Sequence, residues 1–131
     1  MVMAERKYTT THEWVELEDG KVRFGITTYA QEQLGDVVFV ELPSDGETVS
    51  RGETMGTIES VKAVSDLYAP VSGTVVESNG ELEASPELVN QDPYGKGWLV
   101  VVDPSDAGEL EGLMDEASYA TFVAEEKEKE H

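Results

Sequence analysis

Short runs of apolar residues, separated by turn residues, cover most of the first hundred positions. In several of these runs the apolar residues recur in part at every second position, which is typical of β-strands. The predicted strands are residues 14–18, 21–26, 54–60, 64–68 and 74–77. Asp19-Gly20, between the first two strands, is a pair that tight hairpin turns prefer. Strands this short and regularly spaced predict a sandwich or a barrel.

The continuous apolar run Val37-Val38-Phe39-Val40 lies between two acidic residues. Such a run is typical of a strand that is buried on both faces, so we expect this strand at the centre of a sheet. Residues 98–102 form a similar run and predict a last buried strand. Residues 29–34 break the strand pattern and end at Gly35, which indicates one or two helical turns closed by a glycine cap.

The spacing of apolar residues changes after Pro104. Ser105 is of a type that caps helices, and two sets of apolar residues follow at helical spacing. The sets are Leu110, Leu113, Met114 and Ala117, and then Tyr119, Phe122 and Val123. We therefore predict two short C-terminal helices within about residues 105–124, followed by a solvated and frayed acidic tail at 125–131. Residues 1–131 are expected to form a single domain.

The chain has 131 residues, of which 28 are acidic and 9 are basic, so its formal net charge is −19. Phosphate groups and anionic lipid headgroups would repel such a chain, so we expect no nucleic acid and no membrane among its partners. The acidity has two interpretations that the sequence leaves open: an adaptation to salt-rich cells, or steering of the chain toward basic surfaces of its partners. The charged start at residues 1–7 has no apolar segment after it, which predicts a cytoplasmic protein without a signal or transit segment. A small chain of this charge is expected to be a monomer.

Few side chains are available for catalysis. The chain has no cysteine, which excludes disulfides, thiolate nucleophiles and cysteine-bound metals. Only His12 and His131 could act as bases near neutral pH, and His131 is the last residue. Gly95-Lys96-Gly97 lacks the spacing of a phosphate-binding loop, and no acidic run has the pattern of a calcium loop. We therefore expect a protein that is not an enzyme and that has no metal site.

One lysine has unusual surroundings. Lys62 lies between two predicted strands, with small or apolar residues on both sides, so it is expected at the tip of a hairpin. Val61-Lys62-Ala63 contains no Gly, Asn, Asp or Pro to set the turn, and a local rule broken in this way points to a function. The alternative is a solvated turn lysine without a special role.

The segment from Gly56 to Gly73 resembles the lipoyl-attachment hairpin of the biotinyl/lipoyl carrier family, in which an enzyme acylates the lysine at the tip. Biotin carriers usually have methionine on both sides of that lysine, whereas this chain has Val61 and Ala63, which favours lipoate. The resemblance is specific to the H-protein family of the glycine cleavage system and runs from about Lys7 to Val123. It rests on residues 8–15, 25–43, 59–63 and 86–98.

The resemblance implies a fold and a function. The fold is a mainly β, flattened barrel of two antiparallel sheets, a barrel-sandwich hybrid, with a short internal helix, C-terminal helices and a lipoyl-binding portion at about 21–103. Lipoate joined to Lys62 would carry an aminomethyl group from glycine decarboxylase, which uses pyridoxal phosphate, to a tetrahydrofolate-dependent aminomethyltransferase. Dihydrolipoamide dehydrogenase would then reoxidise the carrier, and a lipoate-attaching enzyme would load it.

The resemblance also implies roles for side chains around Lys62. The lipoylating enzyme would recognise the residues that flank the lysine, which are Glu59, Ser60, Val61 and Ala63. The loaded arm would fold back into a surface cleft, for which the matching positions are Glu13, Asp66, Thr11 and His12. Carboxylates there could hold the cationic nitrogen of the cargo. The alternatives are that Asp66 only shapes the hairpin, that Glu13 is a solvated acid, and that His12 and Trp14 serve packing.

Two rival functions share this hairpin. A lipoyl relay protein that donates lipoate to other acyltransferase domains would carry the same motif. An unmodified family member acting as an interaction module is the other alternative, and the intact Glu59–Ala63 string argues against it.

Overall fold

The computed structural model describes residues 6–129, which form a flattened sandwich of two antiparallel sheets. The strands are β1 (Arg6–Tyr8), β2 (Glu13–Glu18), β3 (Lys21–Ile26), β4 (Val37–Glu41), β5 (Thr48–Val49), β6 (Thr54–Ser60), β7 (Val64–Tyr68), β8 (Gly73–Ser78) and β9 (Val100–Pro104). The helices are α1 (Thr28–Leu34), α2 (Glu81–Ala84), α3 (Leu88–Gln91), a 3₁₀ turn (Ala107–Gly112) and α4 (Glu116–Lys129). The predicted mainly β class is confirmed, as a sandwich rather than a closed barrel.

The larger sheet has six strands in the order β1-β2-β3-β9-β8-β5, and the smaller sheet has three in the order β4-β6-β7. The side chains between the two sheets form one apolar core that includes Phe24, Leu67 and Leu99, each almost fully buried. Within residues 6–129, no helix has both the length and the apolar character that crossing a membrane requires. The small sheet carries the Lys62 hairpin, so its packing on the larger sheet fixes the position of the lysine.

The predicted β2–β3 hairpin is confirmed. Asp19 and Gly20 form its turn with φ angles of 51° and 77°, and Glu18 pairs with Lys21 across it. Two successive residues with positive φ are the pattern of the hairpin turn that Asp-Gly favours. The predicted strands at 54–60, 64–68 and 74–77 are also present, as β6, β7 and β8.

The prediction for Val37–Val40 is wrong about its place in the sheet. This strand, β4, lies at an edge of the small sheet rather than at a centre. The register with β6 shifts between Val37 and Phe39, so Val38 and Phe39 face solvent with exposed fractions of 46% and 51%. Val37 and Val40 remain buried. A run of four apolar residues has the same appearance whether a strand is buried on both faces or carries a bulge, so the pattern alone could not separate the two.

The C-terminal region also differs from the prediction. Asp106, not Ser105, caps the first element, which is a 3₁₀ turn, and its carboxylate accepts a hydrogen bond from Gly108 N at 2.9 Å. Met114 instead pairs with Tyr8 of β1. A single helix, α4, follows and continues through Lys129, so residues 125–129 of the predicted frayed tail are helical. Ala, Glu and Lys are good helix formers, which explains a helix without an apolar face there. Residues 130–131 lie outside the described residues.

Candidate carrier site at the β6–β7 hairpin

Lys62 lies at the tip of the hairpin between β6 and β7, as predicted, and it is exposed. The buried side chain of Ser60 sets the turn: its Oγ accepts hydrogen bonds from Lys62 N at 3.3 Å and from Ala63 N at 3.1 Å. Ser60 N in turn donates to Ala63 O at 2.8 Å. The turn chemistry that Val61-Lys62-Ala63 lacks is therefore supplied by the preceding serine, in the way that serine hydroxyls replace backbone partners in tight turns.

The hairpin tip packs on the corner between α1 and β4. Val61 N donates to Asp36 O at 3.0 Å, and the aliphatic part of the Lys62 side chain lies over Gly35. A Cβ atom at position 35 would lie 3.3 Å from Lys62 Cε. Gly35 also ends α1 with a φ of 80°, in the left-handed region that glycine tolerates best. Position 35 is thus restricted by its backbone, whereas the exposed Lys62 side chain can move aside from a Cβ there.

The Gly35→Ala variant is expected to be less stable than the wild type by about 1–2 kcal/mol, because alanine is strained at this φ. The measurement is the free energy of unfolding in urea. Gly80→Ala is the matched control, since Gly80 has a φ of −65° and nothing lies within 4 Å of a Cβ there. Equal stabilities for the two variants would contradict the constraint at position 35.

A cleft of about 320 Å³ lies beside the hairpin. Its walls come from α1, from the inner side of the hairpin and from the segment before β2, and they include Ile26, Tyr29, Leu34, Ile58 and Leu67. The cleft brings together all four residues predicted for it, which are Thr11, His12, Glu13 and Asp66. It also includes Ala63 and Val64, so it begins directly next to Lys62.

Glu13 is the buried carboxylate of this cleft, with an exposed fraction of 2%. Its Oε1 accepts hydrogen bonds from Thr9 Oγ1 at 2.7 Å and from Thr11 Oγ1 at 2.5 Å. Burial raises the pKa of Glu13 to about 7 from an ordinary 4.5, although the two threonine hydroxyls oppose the rise. Glu13 is therefore not a solvated acid. A buried carboxyl that titrates near neutrality gains a strong partner when a cation enters the cleft.

His12 supports the cleft through the C-terminal helix. Its Nδ1 is 2.9 Å from the hydroxyl of Tyr119, which is also 2.6 Å from Thr27 Oγ1. Thr27 caps α1, so the Tyr119 hydroxyl connects α4 to both the His12 wall and the α1 wall of the cleft. Burial lowers the pKa of His12, which favours the neutral ring between Tyr29 and Phe122. Helical spacing predicted only an apolar contact for Tyr119.

Asp66 lies at the rim of the cleft. Cross-strand register pairs Asp66 with Thr57 and pairs Ser65 with Ile58, whose side chain is in the core. Since successive side chains on a strand point to opposite faces, Asp66 belongs to the outer face of the small sheet and Ser65 to the inner face. Glu59 is exposed on that outer face as well, paired with Val64.

Thr11 and Glu13 also line a second cleft, of about 260 Å³, together with Arg51 and Tyr68. No residue of the hairpin tip, residues 60–64, lines this second cleft. The cleft that begins at Ala63 is therefore the one next to Lys62.

A two-sheet sandwich that presents one lysine on a hairpin tip, with a cleft beside it, defines the class of small domains that carry a group on a lysine. The sequence model of the glycine cleavage H-protein family matches residues 6–126. The glycine cleavage system H protein of Thermotoga maritima is 56% identical over 124 residues, which cover 95% of this chain and all of that protein. The mitochondrial glycine cleavage system H protein 2 of Arabidopsis thaliana is 54% identical over 129 residues, covering 98% of this chain and 83% of that protein.

A solved structure agrees with these sequences. The crystal structure of a glycine cleavage system H protein from Mycobacterium marinum superimposes with a TM-score of 0.85 at 46% identity, covering 94% of this chain and 99% of that chain. The chain therefore belongs to the glycine cleavage H-protein family, which confirms the resemblance seen in the sequence.

Proposed function

We propose that this chain is the lipoyl-lysine carrier of the glycine cleavage system, with lipoate joined by an amide to Lys62. The observation that carries the proposal is the position of Lys62, on an exposed hairpin tip next to a cleft that contains the buried Glu13. When attached, lipoate would supply the disulfide that is reduced as it takes up the aminomethyl group, and it would pass the electrons on after that group has left. The chain itself would act not as an enzyme but as a component that positions and protects this cargo.

The residues around Lys62 have complementary roles in this proposal. Ser60 fixes the turn that presents the lysine, and Glu59, Val61 and Ala63 form the rest of the feature that a lipoylating enzyme recognises. The apolar walls of the cleft exclude water from the cargo, and Glu13, with Thr11 beside it, holds its cationic nitrogen. His12 orients the segment that carries Thr11 and Glu13. Asp66 attracts the cation at the rim.

The proposed partners are those of the glycine cleavage system. They are glycine decarboxylase, the aminomethyltransferase and dihydrolipoamide dehydrogenase, together with the enzyme that attaches lipoate. The net charge of −19 would guide the carrier, as a monomer, to basic rims around the active sites of these partners. Such contacts weaken with salt, which suits a shuttle that must leave each partner quickly.

The experiment that tests the proposal measures the intact mass before and after incubation with a lipoate ligase, ATP and lipoate, followed by peptide mapping. We expect one added lipoyl group, located on Lys62. No addition to a folded protein, with the ligase active on a control acceptor, would overturn the proposal in favour of an unmodified interaction module.

A further inference from the structure

The outer face of the small sheet carries two exposed apolar side chains, one on each side of a glutamate, next to Lys62. Cross-strand register places Phe39 of β4, Glu59 of β6 and Val64 of β7 side by side. Phe39 is 51% exposed and Val64 is 67% exposed, so both apolar side chains are accessible to a partner. Directly paired residues of neighbouring antiparallel strands share one face of a sheet, so these three side chains form one continuous strip across all three strands.

A second row on the same face is mostly acidic. It consists of Glu41, Thr57 and Asp66, paired in the same way across β4, β6 and β7. Within the described part of the chain, no ion pair engages Glu41, Glu59 or Asp66. The outer face therefore combines two exposed apolar side chains with three carboxylates that have no cationic partner among residues 6–129. A complementary surface would be apolar and would carry basic side chains.

We propose that this outer face is the docking surface for the enzyme that attaches lipoate to Lys62, and that Phe39 is its apolar anchor. The inference rests on the proposed function, since it assumes that Lys62 is lipoylated. The partner surface has an apolar depression that receives Phe39 and a basic side chain that faces Glu59. Aromatic side chains at the centre of an interface, surrounded by polar groups, are the ones that dominate binding.

The reach of the side chain favours the attaching enzyme over the other partners. An unmodified lysine is short, so the attaching enzyme must bring its catalytic atoms to the hairpin tip and cover the strands beside it. Enzymes that act on the far end of a lipoyl-lysine reach the sulfur atoms without bringing their catalytic groups to the hairpin tip. Neighbouring strands are about 4.8 Å apart, so the row from Phe39 to Val64 spans roughly 10 Å. A specific interface of ordinary size centred on Lys62 therefore covers the whole row.

Phe39 also differs from the hairpin residues in chain position. It comes from β4, more than twenty residues before the lysine, and it does not line the cleft. The surface is thus assembled by the fold of the small sheet and is not contained in the segment around Lys62. A partner that uses it recognises the folded sheet.

The test uses the unlipoylated full-length protein and measures initial lipoylation rates by a lipoate ligase over a range of acceptor concentrations. Phe39→Ala is expected to raise the KM for the acceptor about tenfold with little change in kcat. Leu17→Ala is the matched control, because Leu17 is 47% exposed on the other sheet, and it should behave as the wild type. Glu59→Gln should raise KM at low salt and less at high salt. Thermal unfolding confirms that each variant is folded.

Three results would overturn the inference. Phe39→Ala with the KM of Leu17→Ala would exclude Phe39 as an anchor. A fall in kcat alone would assign Phe39 to positioning Lys62 rather than to docking. The third result concerns a fully lipoylated Phe39→Ala protein. If its affinity for the aminomethyltransferase fell as much as the KM for lipoylation rose, the surface would serve all partners and not the attaching enzyme alone. Failure of the proposed function is distinguishable, because the wild-type protein would then not be lipoylated at all.

Discussion

The Lys62→Arg variant is expected to have no detectable activity in the reconstituted glycine cleavage reaction. Arginine keeps the positive charge and an aliphatic stem over Gly35, but its guanidinium does not form the amide that would join lipoate to the chain. No other lysine has the Ser60 turn or the adjoining cleft, so none should substitute for Lys62 among the described residues. The measurement is glycine-dependent reduction of the electron acceptor with purified partner enzymes.

The same variant should stay folded. Lys62 is exposed at a turn tip outside the core, and substitutions at such positions usually change the free energy of unfolding by less than about 0.5 kcal/mol. Lys21→Arg is a matched control, since Lys21 is an exposed lysine that begins the second strand of another hairpin, and it should keep full activity. Residual activity in Lys62→Arg, or loss of activity in Lys21→Arg, would contradict a unique attachment site.

The Glu13→Gln variant is expected to accept lipoate normally but to lose its aminomethyl cargo to water about tenfold faster, or more. The amide still accepts hydrogen bonds from Thr9 and Thr11, whereas the charge-assisted contact to the cationic nitrogen is lost, and such contacts contribute about 1.5–3 kcal/mol. Intact-mass spectrometry of the loaded protein over time measures the decay. Glu32→Gln, an exposed acid on α1, removes the same charge outside the cleft and should have no effect.

The pH dependence of stability gives an independent check on Glu13. Its pKa in the folded protein is about 7, above the ordinary 4.5, so the folded state binds more protons than the unfolded state between these values. Stability should therefore fall as the pH rises from about 4.5 to about 7, by on the order of 3 kcal/mol from this group. Glu13→Gln should lack this component and be the more stable protein at pH 8. If the stability of the two proteins changed with pH in parallel, the raised pKa of the buried Glu13 carboxyl would be contradicted.

Protection of the cargo should show the opposite pH trend. A cation needs the ionised carboxylate, and its binding lowers the pKa of Glu13 below about 7. The wild-type protein should thus hold its cargo at pH 7.5 and release it faster as the pH falls. If lowering the pH accelerated the loss of cargo equally in the wild type and in Glu13→Gln, the pH dependence would belong to another group.

The sequence predicts the parts of this fold that depend on local chemistry. Asp19-Gly20 identifies the β2–β3 hairpin because few other residues tolerate two positive φ angles in succession. Gly35 identifies the end of α1 for a related reason. The Lys62 hairpin also follows from local pattern, and the cleft residues Glu13 and Thr11 follow from family resemblance. Their common location beside Lys62 is a property of the folded chain that local spacing alone does not contain.

Other features depend on contacts between distant segments, which periodicity does not encode. The edge position of β4 results from the pairing of Val37 and Phe39 with β6 and from a bulge between them. The three-residue strand β1 and the two-residue strand β5 are too short to have a period. The single helix α4 begins directly after Asp115, whose carboxylate accepts a hydrogen bond from Ser118 N at 2.8 Å, and Tyr119 of this helix contacts His12 and Thr27. Periodicity could not predict these features, because they depend on pairing between distant segments, on strands too short to have a period, or on the contacts of Tyr119 with His12 and Thr27.

The hydroxyl of Tyr119, which contacts both His12 and Thr27, has a consequence for the order in which the site forms during biosynthesis. The lysine hairpin and the corner on which it rests come from the first half of the chain, whereas the residue that joins the two walls of the cleft comes close to the end. During synthesis, the Lys62 hairpin therefore leaves the ribosome before the residue that joins the two walls of the cleft. Chains that terminate before Tyr119 would present the lysine beside a cleft whose two walls are not joined by that hydroxyl.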